Sequence, residues 1–89
     1  MISRHCTIIN KLGLHARAAA KFASLAAGFD SHIELVARGH AVNAKSIMGL
    51  MTLAASQGTE VEIRARGKDA EQAIAQLGQL IADKFGEEH

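Results

Sequence analysis

The chain has 89 residues, 48% of them hydrophobic but only 3% aromatic, and a formal net charge of +1 with the histidines neutral. That length suits a single domain over residues 1–89, and the near balance of charge supplies no general attraction to nucleic acid or to an anionic membrane. The lone cysteine, Cys6, excludes an internal disulfide, no stretch reaches the roughly 20 apolar residues that cross a bilayer, and residues 1–9 do not read as a signal peptide. The expectation is a cytoplasmic protein with no membrane insertion.

Residues 2–9 read as a strand with Ile2, Cys6 and Ile8 on one face and Ser3, His5 and Thr7 on the other. Asn10 to Gly13 form a loop. From Ala16 to Ala27 the density of alanine predicts a helix, with Ala19, Phe22, Ala23 and Ala26 as its buried stripe and Gly28 ending it. Ser31 to Ala37 is a second strand, Arg38-Gly39 a tight turn and His40 to Ala44 a third strand, so the two form a hairpin. Ser46 caps a short helix running to about Ala54, with Ile47, Leu50 and Met51 at helical spacing. After a turn at Gln57-Gly58, Glu60 to Arg66 alternates, with Val61, Ile63 and Ala65 inward. Asp69 caps a last helix through about Phe85, with Ala73, Ile74, Leu77, Leu80 and Ile81 on its apolar face. Glu87-Glu88-His89 is expected to fray.

The order is β-α-β-β-α-β-α, and the strands carry one apolar and one polar face each. That pattern predicts an α+β open-faced sandwich: a four-stranded, mainly antiparallel sheet solvated on one side and covered by three helices on the other.

The chemistry concentrates at Gly13-Leu14-His15-Ala16-Arg17, where a loop runs into a helix. The first N–H groups of a helix have no internal partner and lie at the positive end of its dipole, so the backbone of Ala16, Arg17 and Ala18 can hold an anion. Neutral imidazole is a good nucleophile toward phosphorus, and Arg17 adds a permanently charged planar donor. On local chemistry alone, His15 reads equally well as an ordinary surface residue at a helix start.

Asn10-Lys11-Leu12-Gly13-Leu14-His15-Ala16-Arg17-Ala18-Ala19 resembles the active-site segment of the HPr family, phosphocarriers of the bacterial phosphotransferase system. The likeness extends to Ala44-Lys45-Ser46-Ile47-Met48-Gly49-Leu50, to Ser56-Gln57-Gly58-Thr59-Glu60-Val61 and to the order of elements. It implies that Enzyme I phosphorylates His15 on Nδ1 at the expense of phosphoenolpyruvate, that His15 passes the group to an Enzyme II A-type component, and that Arg17 faces the phosphate. Such a protein is a carrier with a transient phosphohistidine, monomeric, without cofactor or metal, and not an enzyme in the strict sense. Many members carry proline after the arginine; here Ala18 keeps one more N–H at some loss of rigidity.

The resemblance also implies regulatory phosphorylation of Ser46 by HPr kinase/phosphorylase, whereas a plain N-cap would by itself explain a serine there. Core filling is the simplest role for Ile47 and Leu50, and Met48 is the residue expected to face out; Ile47, Met48 and Met51, with Lys21 and Lys45, form the expected docking surface for partners. Cys6 reads as a small buried hydrophobe, and His5, His32, His40 and His89 have no metal-ligand spacing. Two alternatives stand beside the relay: a carrier of the nitrogen-related regulatory branch, and a purely regulatory protein acting through Ser46. A base-stacking sheet is disfavoured because the chain has no Trp or Tyr.

Overall fold

Alternating strands with one apolar face must cover that face, and three helices do so here. The structure is a computed structural model describing residues 1–89. Its elements are β1 (Ile2–Thr7), α1 (Ala16–Ala27), β2 (His32–Ala37), β3 (His40–Asn43), α2 (Ile47–Thr52), β4 (Glu60–Arg66) and α3 (Ala70–Ala82), followed by a 3-10 turn at Lys84–Gly86. The sheet order is β1-β4-β2-β3 and every neighbouring pair is antiparallel. β1 and β2 are therefore parallel with β4 between them, and β3 and β4 are parallel with β2 between them. The chain makes two interleaved β-α-β crossovers, through α1 and through α2.

This threading positions the site. α1 starts beyond the end of β1, whereas α2 and α3 end on that same side. The loop before α1 is bound there to the segment after α2: Leu14 N–H donates to the Ala55 carbonyl at 2.8 Å, and Ile8 N–H to that of Thr59 at 2.9 Å. Gly13 has φ +69°, and a Cβ on it would lie 2.6 Å from the Ala55 carbonyl oxygen. Only glycine permits both the left-handed backbone and that approach.

One hydrophobic cluster fills the space between sheet and helices. Phe22 of α1, Ile33 and Leu35 of β2, Leu50 of α2, Ile63 of β4 and Leu77 of α3 are all fully buried in it. Ala18, Ala19, Ala23 and Ala26 let α1 approach closely. The Arg38-Gly39 turn has φ of 50° and 77° at its two residues, as a two-residue hairpin matched to strand twist requires.

Several boundaries differ from expectation. β1 stops at Thr7; Ile8 is still buried, but Ile9 is exposed. The last helix stops at Ala82, and the backbone reverses through positive φ at Lys84 and Phe85, which drops the Phe85 ring into the core. Asp69 stands at the N-cap of α3 without capping it. Its carboxylate instead accepts from the amides of Asp30 (2.8 Å) and Ser31 (3.0 Å) and from the Ser31 hydroxyl (2.5 Å), tying α3 to the start of β2. Ile47 does not fill the core: it is exposed, and only Leu50 of α2 is buried. Arg4 falls in register with Ile63 on the helix-covered face, and its guanidinium lies across Gly78 of α3, where a Cβ would be 2.5 Å away.

Candidate functional site

His15 is the N-cap of α1, with extended backbone (φ −79°, ψ −179°), and its side chain does not cap the helix. The first α-helical bond runs from the Ala19 N–H to the His15 carbonyl at 2.8 Å. The amides of Ala16, Arg17 and Ala18 precede it and have no carbonyl within the helix to meet. Ala16 and Arg17 are exposed, while the Ala18 side chain is buried. A cleft of about 780 Å³ opens here, lined among others by Lys11, Leu12, His15, Ala16 and Arg17. The His15 ring is half-buried in it.

The segment after the 3-10 turn does not fray; it closes one side of the cleft. Glu87 is the site residue that sequence reasoning missed. Its Oε2 hydrogen-bonds His15 Nε2, and its Oε1 accepts from Asn10 Nδ2 at 2.9 Å. Asn10 is fully buried and also donates to the Gly13 carbonyl at 2.8 Å. Farther along, Lys11 N–H donates to the His89 carbonyl at 2.8 Å. The Asn10 amide bond holds the Glu87 carboxyl below the usual carboxylate range against the opposing effect of burial, helped by the His15 contact and by the charges of His15 and Lys21. No local signal in Glu87-Glu88-His89 could have revealed this, because the contact with His15 spans 72 positions of sequence.

The expected docking residues divide into two kinds. Ile47 (43% exposed), Met48 (76%) and Met51 (43%) form an apolar surface on α2, and Leu12 (69%) adds another exposed apolar side chain on the loop before α1. Lys21 and Lys45 each hold a carbonyl: Lys21 Nζ donates to Phe85 O at 2.8 Å and Lys45 Nζ to Phe29 O at 2.7 Å. Ser46 is the N-cap of α2, its Oγ accepting from the Gly49 N–H at 3.0 Å. Cys6 is half-buried, and burial pushes its thiol up despite the nearby Arg4.

The profile of the PTS-HPr family, described as the "PTS HPr component phosphorylation site", matches residues 2–83. The chain belongs to the HPr family. The phosphocarrier protein HPr of Cupriavidus necator is 51% identical over 98% of both chains. The phosphocarrier protein NPr of Shewanella violacea is 41% identical over 97% of this chain and 94% of its own. A crystal structure of HPr-C-His from Thermoanaerobacter tengcongensis superposes with a TM-score of 0.96 at 49% identity, covering 100% of both chains. HPr proteins are phosphocarriers of the phosphotransferase system and not catalytic enzymes. The open-faced sandwich expected from strand alternation is the HPr fold. No helix is long and apolar enough to cross a membrane.

Proposed function

We propose that His15 accepts a phosphoryl group from Enzyme I, which draws it from phosphoenolpyruvate, and delivers it to an Enzyme II A-type component. One observation carries this reading: an accessible imidazole stands at the N-cap of a twelve-residue helix, in a cleft that Arg17 also lines, next to three N–H groups free of helical partners. Uptake forms the N–P bond on His15 as the donor's bond to phosphorus breaks, and the electron pair of the broken bond returns to the donor atom; delivery reverses these roles, with the pair returning to His15. The amides and Arg17 stabilise the anionic phosphoryl oxygens while they pass. In this reading the protein acts as a monomer.

Ile47, Met48 and Met51 supply an adaptable apolar surface on which both partners dock in turn. The greater identity to a protein named HPr than to one named NPr supports the sugar-uptake branch over the nitrogen-related one. With Enzyme I and labelled phosphoenolpyruvate, wild type is expected to take up acid-labile, base-stable label, faster with a sugar-type than with a nitrogen-type Enzyme I. His15→Ala takes up none; full labelling of that variant would sink the relay.

Ser46 is a regulatory phosphorylation site in this reading. Its hydroxyl is half-buried as a cap and adjoins the docking surface, so a phosphate there brings about −1.5 to −2 charges beside it and weakens association. HPr kinase/phosphorylase with labelled ATP should modify wild type and leave Ser46→Ala unlabelled.

A further inference from the structure

The closing segment of the chain holds a carboxylate on the far nitrogen of the phosphorylatable ring. We infer that Glu87 is a positioning residue: by accepting the Nε2–H of His15 it selects the tautomer whose nucleophilic lone pair is on Nδ1. This deepens the relay reading and rests on it.

A carboxylate only accepts hydrogen bonds, so the nitrogen facing Glu87 Oε2 is the one that carries the proton, and the neutral ring then leaves Nδ1 bare. Nδ1, bonded to Cγ, is the ring nitrogen nearer the backbone of the N-cap residue, from which Ala16, Arg17 and Ala18 follow. During transfer Nδ1 forms its bond to phosphorus while Nε2 keeps its hydrogen. The positive charge that develops on the ring is met by the Glu87 carboxylate, and no proton has to move. The same contact fixes the plane of the imidazole, as a second group does for a catalytic histidine in general.

The orientation of Glu87 is itself determined. Asn10 Nδ2 reaches two oxygens that can only accept, the Gly13 carbonyl and Glu87 Oε1, so the Asn10 amide cannot be turned round. Lys21, held on the Phe85 carbonyl, and the Lys11 bond to His89 anchor the segment on either side.

This geometry makes an unusual demand of Glu87→Gln. The Gln amide must give its oxygen to Asn10, which presents its NH2 to His15 Nε2. The ring would then move its proton to Nδ1, and the nucleophile is blocked. Glu87→Ala removes the contact and leaves both tautomers populated. Two-bond 1H–15N correlation spectra of His15, recorded where the ring is neutral, distinguish the tautomers without any partner protein, and the remaining amide spectrum reports whether each variant is folded.

Wild type is expected to be Nε2–H, Glu87→Gln predominantly Nδ1–H, and Glu87→Ala mixed. Initial phosphorylation by Enzyme I should fall by about tenfold or more in Glu87→Gln and by less in Glu87→Ala. A merely structural role for Glu87 would not reverse the tautomer, nor make the near-isosteric amide worse than alanine. An unchanged tautomer in Glu87→Gln, or the two variants alike in tautomer and rate, overturns the inference while labelling of wild type leaves the relay intact. The expected tautomers together with no label on wild type would overturn the relay and not the positioning.

Discussion

Gly13 shows how a single hydrogen in place of a methyl group governs the site. Its φ of +69° and the 2.6 Å separation between a would-be Cβ and the Ala55 oxygen place two independent costs on any other residue. Gly13→Ala should destabilise the protein by about 2–4 kcal/mol, lowering its midpoint in urea. The same displacement would shift Leu14 and His15 away from the loop after α2, so phosphorylation should slow beyond what the lost stability explains. The placement of His15 and Arg17 at a helix start was legible from the chain because helix onset is a local property of neighbouring residues, whereas their phosphate-handling role was read from the family resemblance. Glu87 was not, since an exposed-looking acidic run has no local property that separates a frayed end from a folded one.

Among the elements, α3 is held at its beginning by a side chain doing something other than its expected task. Asp69 has the sequence position of a cap, and its carboxylate reaches across to Asp30 and Ser31 instead. The Ser31 hydroxyl, then the Asp30 amide, keep the Asp69 carboxyl below its ordinary value, with burial opposing them. A carboxyl whose pKa is lower folded than unfolded contributes stability above its unfolded value of about 4, and that contribution disappears as pH falls through the folded value. Melting temperature should therefore drop on acidification from about pH 4 downward, and Asp69→Asn should be less stable than wild type near neutrality with a shallower acid limb. A parallel decline in both proteins between pH 6 and 2 would rule out this contact as the cause. The short α2 met its sequence reading at Ser46, where the cap bond forms, and departed from it at Ile47, which the helix turns outward because only one position in so few residues can reach the core.

For the molecule as a whole, Phe85 couples the core to the site. It is buried at 1% exposure, forms part of the reversal after α3, and its carbonyl accepts from Lys21 of α1. Phe85→Ala should cost about 3–5 kcal/mol by opening a core cavity. It should also free the segment bearing Glu87, so hydrogen exchange at the Lys11 amide, bonded to the His89 carbonyl, accelerates more than exchange at core strands. Equal acceleration everywhere would show global loss of stability without a specific tether.

Element types, their order, the alternation that demands a one-sided helical cover, and the His15-Arg17 pair at a helix start were all determined by the sequence by itself, because periodicity and capping are local properties of neighbouring residues. Tertiary structure alone decided the strand order β1-β4-β2-β3, the diversion of Asp69, the inward register of Arg4 and the meeting of His15 with Asn10 and Glu87. Those depend on which distant segments the closing of one shared core brings together, and no window along the chain contains that information.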